Sequence, residues 1–142
     1  MKITIVENQE TELIIHCSSR SQPEIQKLLE TLDELDRRIP IQQPGNLTML
    51  CPEDVLYGEF VNRMVFIYTA NDVYPTELTL SQLEESQRRF FRCSKSGVVN
   101  VEQISHLKSE LNGRILATLS NGEQLLISRH YASGLRRLLK QL

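Results

Sequence analysis

The stretch Phe90-Phe91-Arg92-Cys93-Ser94-Lys95-Ser96-Gly97-Val98-Val99-Asn100 decides the fold. Phe90 to Cys93 and Val98 to Val101 read as short strands, because aromatic and β-branched residues crowd a pleated surface well. Ser94-Lys95-Ser96-Gly97 between them reads as a tight turn. Asn100 reads as structural, holding a turn or a strand end. The aromatic residues Phe90, Phe91, Phe66 and Tyr68 lie in strand patterns and are expected in the core. A stacking platform for single-stranded nucleic acid would need them exposed.

Downstream of this hairpin the strand signals continue. Ile104 to Lys108 and Ile115 to Leu119 flank a turn at Asn112-Gly113. Asn121-Gly122 is the strongest turn signal of the chain, read as a type I′ turn, and Glu123 to Ile127 pairs back across it. Ser128 then caps a final helix whose apolar face is Tyr131, Leu135, Leu138 and Leu139.

Upstream, Leu47 to Leu50, Val55 to Phe60, Met64 to Thr69 and Asp72 to Glu77 read as strands. Asn71-Asp72 makes a hairpin turn, and Pro75 sends its strand towards an edge. Thr79 to about Gln87 predicts a short helix with a Thr79/Gln82 capping box and Leu80 and Leu83 on its buried face. Residues 1–45 read differently. Residues 2–6 and 11–17 alternate as strands joined by Asn8-Gln9-Glu10. Ile25, Leu28, Leu29, Leu32 and Leu35 then fall at helical spacing behind Ser21, Pro23 and Glu24. Pro40, Pro44 and Gly45 form a connector. The expected organisation is a β-β-α unit with connector over 1–45 and a strand-rich domain over 46–142, mainly β and α+β overall.

The chain has 142 residues, ordinary for one domain with an extension, and 40% hydrophobic composition argues against wholesale disorder. The formal net charge of -2 hides a gradient. Residues 1–45 carry five basic and eight acidic side chains, and residues 46–86 carry one basic, Arg63, against seven acidic. Residues 87–142 carry ten basic against three acidic. A polyanion responds to the local field, so the mean charge excludes no nucleic-acid partner.

No N-terminal signal or membrane span is read, and a cytoplasmic, non-membrane-embedded protein is expected. The three cysteines Cys17, Cys51 and Cys93 are irregularly spaced. They suit buried thiols in a reducing compartment, and no metal or cofactor is expected. No nucleophile elbow, phosphate loop or metal-ligand spacing supports catalysis. His16, His106 and His130 are isolated in sequence.

Residues 90–100 resemble the signature of the LytTR DNA-binding domain, found in LytR/AlgR-type bacterial transcription regulators. Asn121-Gly122 with Ile127-Ser128-Arg129-His130-Tyr131 is similar to the closing piece of that pattern. Leu56-Tyr57-Gly58-Glu59 with Asn62-Arg63 is similar to its opening strand and the loop after it. Together these segments cover about residues 46–142. The resemblance implies an elongated stack of small antiparallel sheets with short helices, a stand-alone regulator without a receiver domain, and docking on DNA through loops. Ser94 and Gly97 depart from the family pattern, which usually has a His and an aromatic residue there. The departures imply a lost or replaced contact and a looser loop.

Carried over by position, the resemblance implies DNA contacts by Asn62, Arg63, Ser94, Lys95, Ser96, Arg129 and His130. The chemistry fits. An arginine fork matches guanine O6 and N7, while Lys and Ser in a tight loop suit phosphates or base edges. A carboxylate such as Glu102 is the competing partner for Arg129. Arg92 reads equally as a phosphate contact or an ion-pair member. Arg136, Arg137 and Lys140 are read as dipole partners or a solvated face. The expected partners are double-stranded promoter DNA and a second copy of the chain, with residues 1–45 mediating self-association or meeting a regulatory protein; the competing reading of that unit is a cover over the sheet stack. The competing function is a protein-interaction module with the same fold and no DNA binding.

Overall fold

The computed structural model describes residues 3–7, 14–35 and 37–140. Contacts divide the chain into two units, residues 1–36 and 37–142.

In the first unit, α1 spans Pro23–Leu35. Ile25, Leu28 and Leu32 are half-buried on its apolar stripe, and Leu29 is exposed. The hairpin expected ahead of it is not seen. Residues 3–7 and 14–17 carry no strand ladder, and the loop and flanks between them lie outside the described residues. Ile3, Ile5, Val6, Ile14 and Ile15 are exposed. A two-stranded hairpin on its own buries too little apolar surface to persist in water.

In the second unit, the connector expected at Pro40 to Gly45 is itself a hairpin. Strand β1 (Ile39–Gln43) pairs antiparallel with β2 (Asn46–Leu50) around Pro44-Gly45. Gly45 has φ of +75°, which suits proline followed by glycine at the centre of a type II turn. Pro40 is tolerated because this is a two-stranded edge ladder. Ile39 and Ile41 are fully buried, so the segment joins the core instead of linking past it.

The remaining strands follow the sequence reading closely. They are β3 (Tyr57–Val61), β4 (Met64–Tyr68), β5 (Val73–Thr76), β6 (Phe90–Ser94), β7 (Gly97–Asn100), β8 (Ile104–Ser109), β9 (Ile115–Leu119) and β10 (Gln124–Ile127). Between them lie α2 (Leu80–Ser86), with the expected Thr79/Gln82 capping box, and the closing helix α3 (Arg129–Lys140). A five-stranded antiparallel sheet has the order β5-β4-β3-β7-β6, and a three-stranded one the order β10-β9-β8. Pro75 sits on the edge strand β5, as its missing N–H requires.

The five-stranded sheet separates two cores. On one face Val65, Ile67, Phe90 and Val98 pack with Ile39 and Ile41 of the hairpin and Leu80 and Leu83 of α2. On the other, Leu56, Cys93 and Val99 pack with Ile115, Ala117, Leu119, Ile127 and with Ala132 and Leu135 of α3. Neighbours Val98 and Val99 serve opposite cores, which is the two-residue period of a strand covered on both faces. Each such buried aliphatic side chain contributes roughly 1.5–3 kcal/mol. Asn100 is fully buried at the end of β7. Its Nδ2 donates to the Val55 carbonyl at 2.8 Å, and its Oδ1 accepts from the Glu102 amide at 3.1 Å. That is the structural role expected for it.

Candidate nucleic-acid interface

The turn joining β3 and β4 consists of Asn62 and Arg63, at φ of 52° and 65°. Both central residues are left-handed, the condition for a type I′ hairpin. Neither is glycine. Asparagine tolerates that region, whereas an arginine pays roughly 1–2 kcal/mol to sit there. Asn121-Gly122, read as the type I′ turn, is built differently. Only Gly122 is left-handed, at φ of 91°, and the Gly122 amide donates to the Leu119 carbonyl at 2.9 Å. That is a longer loop in which the glycine takes the strained position alone.

Strand β7 lies beside β3 with Gly97 opposite Glu59. The Phe60 amide then donates to the Ser96 carbonyl at 2.8 Å. The Ser94–Gly97 turn therefore sits next to the Asn62-Arg63 turn, at the same end of the sheet. Arg92 braces it from below. Its Nε donates to the Ser94 carbonyl at 2.9 Å and its Nη2 to the Lys95 carbonyl at 2.8 Å. Its guanidinium shapes the turn, and Arg92 forms no ion pair among the described residues. The Ser94 hydroxyl is half-buried and accepts from the Ser96 amide at 3.2 Å, so it too acts within the turn.

Gly97 is packed, contrary to a looser loop. A Cβ there would lie 3.0 Å from Cys93 Sγ and 3.1 Å from Ser94 Oγ, closer than side chains ordinarily approach. A bulge between Arg92 and Ser94 turns Cys93 into the core. Burial pushes the Cys93 thiol up to about 11, against smaller opposing effects of hydrogen bonding and of Arg92, so it is protonated near neutrality.

The third segment joins through Ser128, whose amide donates to the Cys93 carbonyl at 2.9 Å. Arg129 follows at the first residue of α3. Its side chain crosses the β8–β9 turn: a Cβ on Gly113, at φ of +77°, would lie 2.9 Å from Arg129 Cγ. Glu102 is not its partner. Glu102 pairs with Arg89 at 3.0 Å. His130 is exposed and meets Tyr131 edge-on at 4.8 Å between ring centroids.

Asn62, Arg63, Lys95, Ser96, Arg129 and His130 are thus exposed on three segments that hydrogen bonds tie to one another. Arg63, Lys95 and Arg129 form no ion pair among the described residues. Unpaired, solvated cations on short rigid turns are suited to phosphate oxygens and guanine edges. Sequence reading missed two supports, the Arg92 brace and the Gly113 seat under Arg129. Both are contacts that only the folded chain creates, and Gly113 lies sixteen positions before Arg129, with no local pattern to flag it. Among the described residues no His, Cys, Asp and Glu cluster could hold a metal ion. No helix among them is long and apolar enough to cross a membrane.

Comparison with known proteins bears on this arrangement. The family model of the LytTr DNA-binding domain matches residues 45–140. The chain is 28% identical over 104 residues to the sensory transduction protein LytT of Bacillus anthracis, covering 72% of this chain and 42% of that protein. It therefore spans about two-fifths of the length of that relative. It is 26% identical over 144 residues to the uncharacterized HTH-type transcriptional regulator SAS2254 of Staphylococcus aureus, covering 98% of each. Among solved structures, the LytTr DNA-binding domain of a methyl-accepting/DNA response regulator from Bacillus cereus superposes with a TM-score of 0.67 at 23% identity. The match covers 73% of this chain and 97% of that one.

Proposed function

The chain belongs to the LytTr DNA-binding domain family, and from that premise we propose that it is a transcription regulator reading double-stranded promoter DNA through three loop segments. Relatives named as transcriptional regulators support the reading. A single observation carries it: the Phe60–Ser96 and Ser128–Cys93 backbone bonds gather Arg63, Lys95 and Arg129. Arg63 and Arg129 are the base readers. Asn62, Ser96 and His130 contribute to the same surface, Lys95 supplies phosphate attraction or a base contact, and Ser94 shapes the loop.

Loop docking also fits the order of elements. Strands separate every pair of helices among the described residues, so no helix-turn-helix forms, although the Staphylococcus relative carries that term in its name. The protein acts on DNA in the cytoplasm, without catalysis, and as a dimer, since two-fold DNA sites favour paired subunits. The first unit, residues 1–36, mediates that association or receives a regulatory protein.

Fluorescence anisotropy on fragments selected from random DNA tests the reading. Affinity should fall steeply with salt, as counterion release requires. Arg129→Ala should cost about 1–3 kcal/mol and relax preference at one base position. No measurable affinity at low salt for any selected fragment would remove DNA from the account and leave the protein-interaction module.

A further inference from the structure

A groove of about 530 Å³ opens beside the Asn62-Arg63 turn, between the β3–β4 hairpin and the start of α2. Its volume lies within the range of small-molecule sites. Val65, Leu78 and Leu80 make an apolar floor, and Phe60, which pairs with Val65 across the β3–β4 ladder and so shares its face, walls it. Phe60 is 49% exposed, although it belongs to a strand of the central sheet. Exposed large apolar side chains set beside charge are a surface built to be covered.

The rim is cationic. Arg63, Arg92 and Lys95 line it against a single carboxylate, Glu77. Glu77 already accepts from Gln42 Nε2 at 2.8 Å, and Arg92 commits two N–H groups to turn carbonyls. Arg63 and Lys95 are left without an anion among the described residues. A ligand that satisfies both parts has an apolar body and one anionic head.

We propose that this groove binds a small amphipathic carboxylate, with its chain against Phe60 and Leu78 and its head between Arg63 and Lys95. The inference rests on the DNA reading for its consequence only: the two cations that hold the carboxylate are the ones offered to DNA, so the ligand and DNA exclude each other. The site would make the regulator responsive to a metabolite directly at the reading surface.

Decanoate below its micellar concentration is the probe, added to the full chain labelled with 4-fluorophenylalanine. The Phe60 ¹⁹F resonance, assigned by its loss in Phe60→Leu, should shift and saturate with decanoate, while that of Phe90, buried in the core, stays still as an internal reference. Acetate, which lacks the body, and decanol, which lacks the charge, should leave the Phe60 resonance unmoved at the same concentration. Arg63→Gln and Lys95→Gln should each weaken decanoate about tenfold, the size of one lost charge-assisted hydrogen bond. Decanoate should also displace a bound DNA fragment in the wild type.

An unmoved Phe60 resonance, or an equal response to decanol, overturns the proposal. So does a Phe60 signal that shifts with DNA and not with decanoate, which would make the groove part of the DNA contact alone and leave the DNA reading intact. Saturable decanoate binding in a chain that binds no DNA would instead keep the site and remove its regulatory consequence.

Discussion

Two tight turns of this molecule solve one geometric problem in opposite ways. Between β9 and β10 the left-handed position falls to Gly122, and nothing lies within 4 Å of a Cβ added there. Between β3 and β4 it falls to Asn62 and Arg63, which bear side chains and hold positive φ. The relaxed turn places its one left-handed residue where no side chain is needed. The strained one offers an unpaired guanidinium beside the Ser94–Gly97 turn. Residues kept in costly backbone regions cluster where function needs a side chain in that place.

The sharpest break of this contrast is Arg63→Gly. It should lower DNA affinity about 5–150-fold, the 1–3 kcal/mol of one arginine contact. The fold should gain, by up to about 1 kcal/mol, since the strain goes but the unfolded chain becomes more flexible. Anisotropy and thermal melting on the same sample read both signs. A variant that loses stability would show that Arg63 is held by packing and not by function.

Gly113→Ala comes next. It forces a side chain into a φ of +77° and against Arg129, at a cost of roughly 1 kcal/mol of stability. DNA affinity should fall several-fold because the arginine must leave its seat. Unchanged affinity in a folded variant would show that Arg129 does not need that seat. Gly122→Ala should cost about 1 kcal/mol of stability as well. Its DNA affinity should match the wild type, and any loss would place the relaxed turn on the interface.

The smallest effect concerns the thiol under the strained end. Cys17 is exposed and should react with a disulfide reagent at once at pH 8, whereas Cys93 should react only on unfolding. The folded thiol sits at about 11 against an ordinary 9. Its stabilising contribution is therefore full below pH 9 and is lost as pH rises from 9 to 11, because the unfolded thiol ionises first. Fast labelling of Cys93 in the native protein would mean that the core beneath the turn opens readily.

These contrasts also show what the sequence could carry. Strands from Val55 onward were legible because alternation and turn residues agree, as in Val98 and Val99 facing opposite cores. The capping box of α2 was legible because Thr79 and Gln82 are local. The hairpin at residues 39–50 was not, because Pro40, Pro44 and Gly45 read as a break while the burial of Ile39 and Ile41 depends on distant partners. The turn with the strongest glycine signal was the ordinary one. The proposed site residues come from resemblance to a family, and the folded chain brings their segments onto neighbouring turns. Their supports, Arg92 and Gly113, were not legible, because a brace across a turn and a seat for a side chain exist only in three dimensions.

Arg92 also has a calorimetric consequence. A loop that must be ordered by its ligand pays conformational entropy at the moment of binding. Here two carbonyls of the Ser94–Gly97 turn are already clamped by one planar guanidinium. Association with DNA therefore begins from a loop whose disorder was removed during folding. Replacing the fork with the single ammonium of Arg92→Lys should move the penalty into the entropy of association, with little change in its heat, since the groups that touch DNA stay the same.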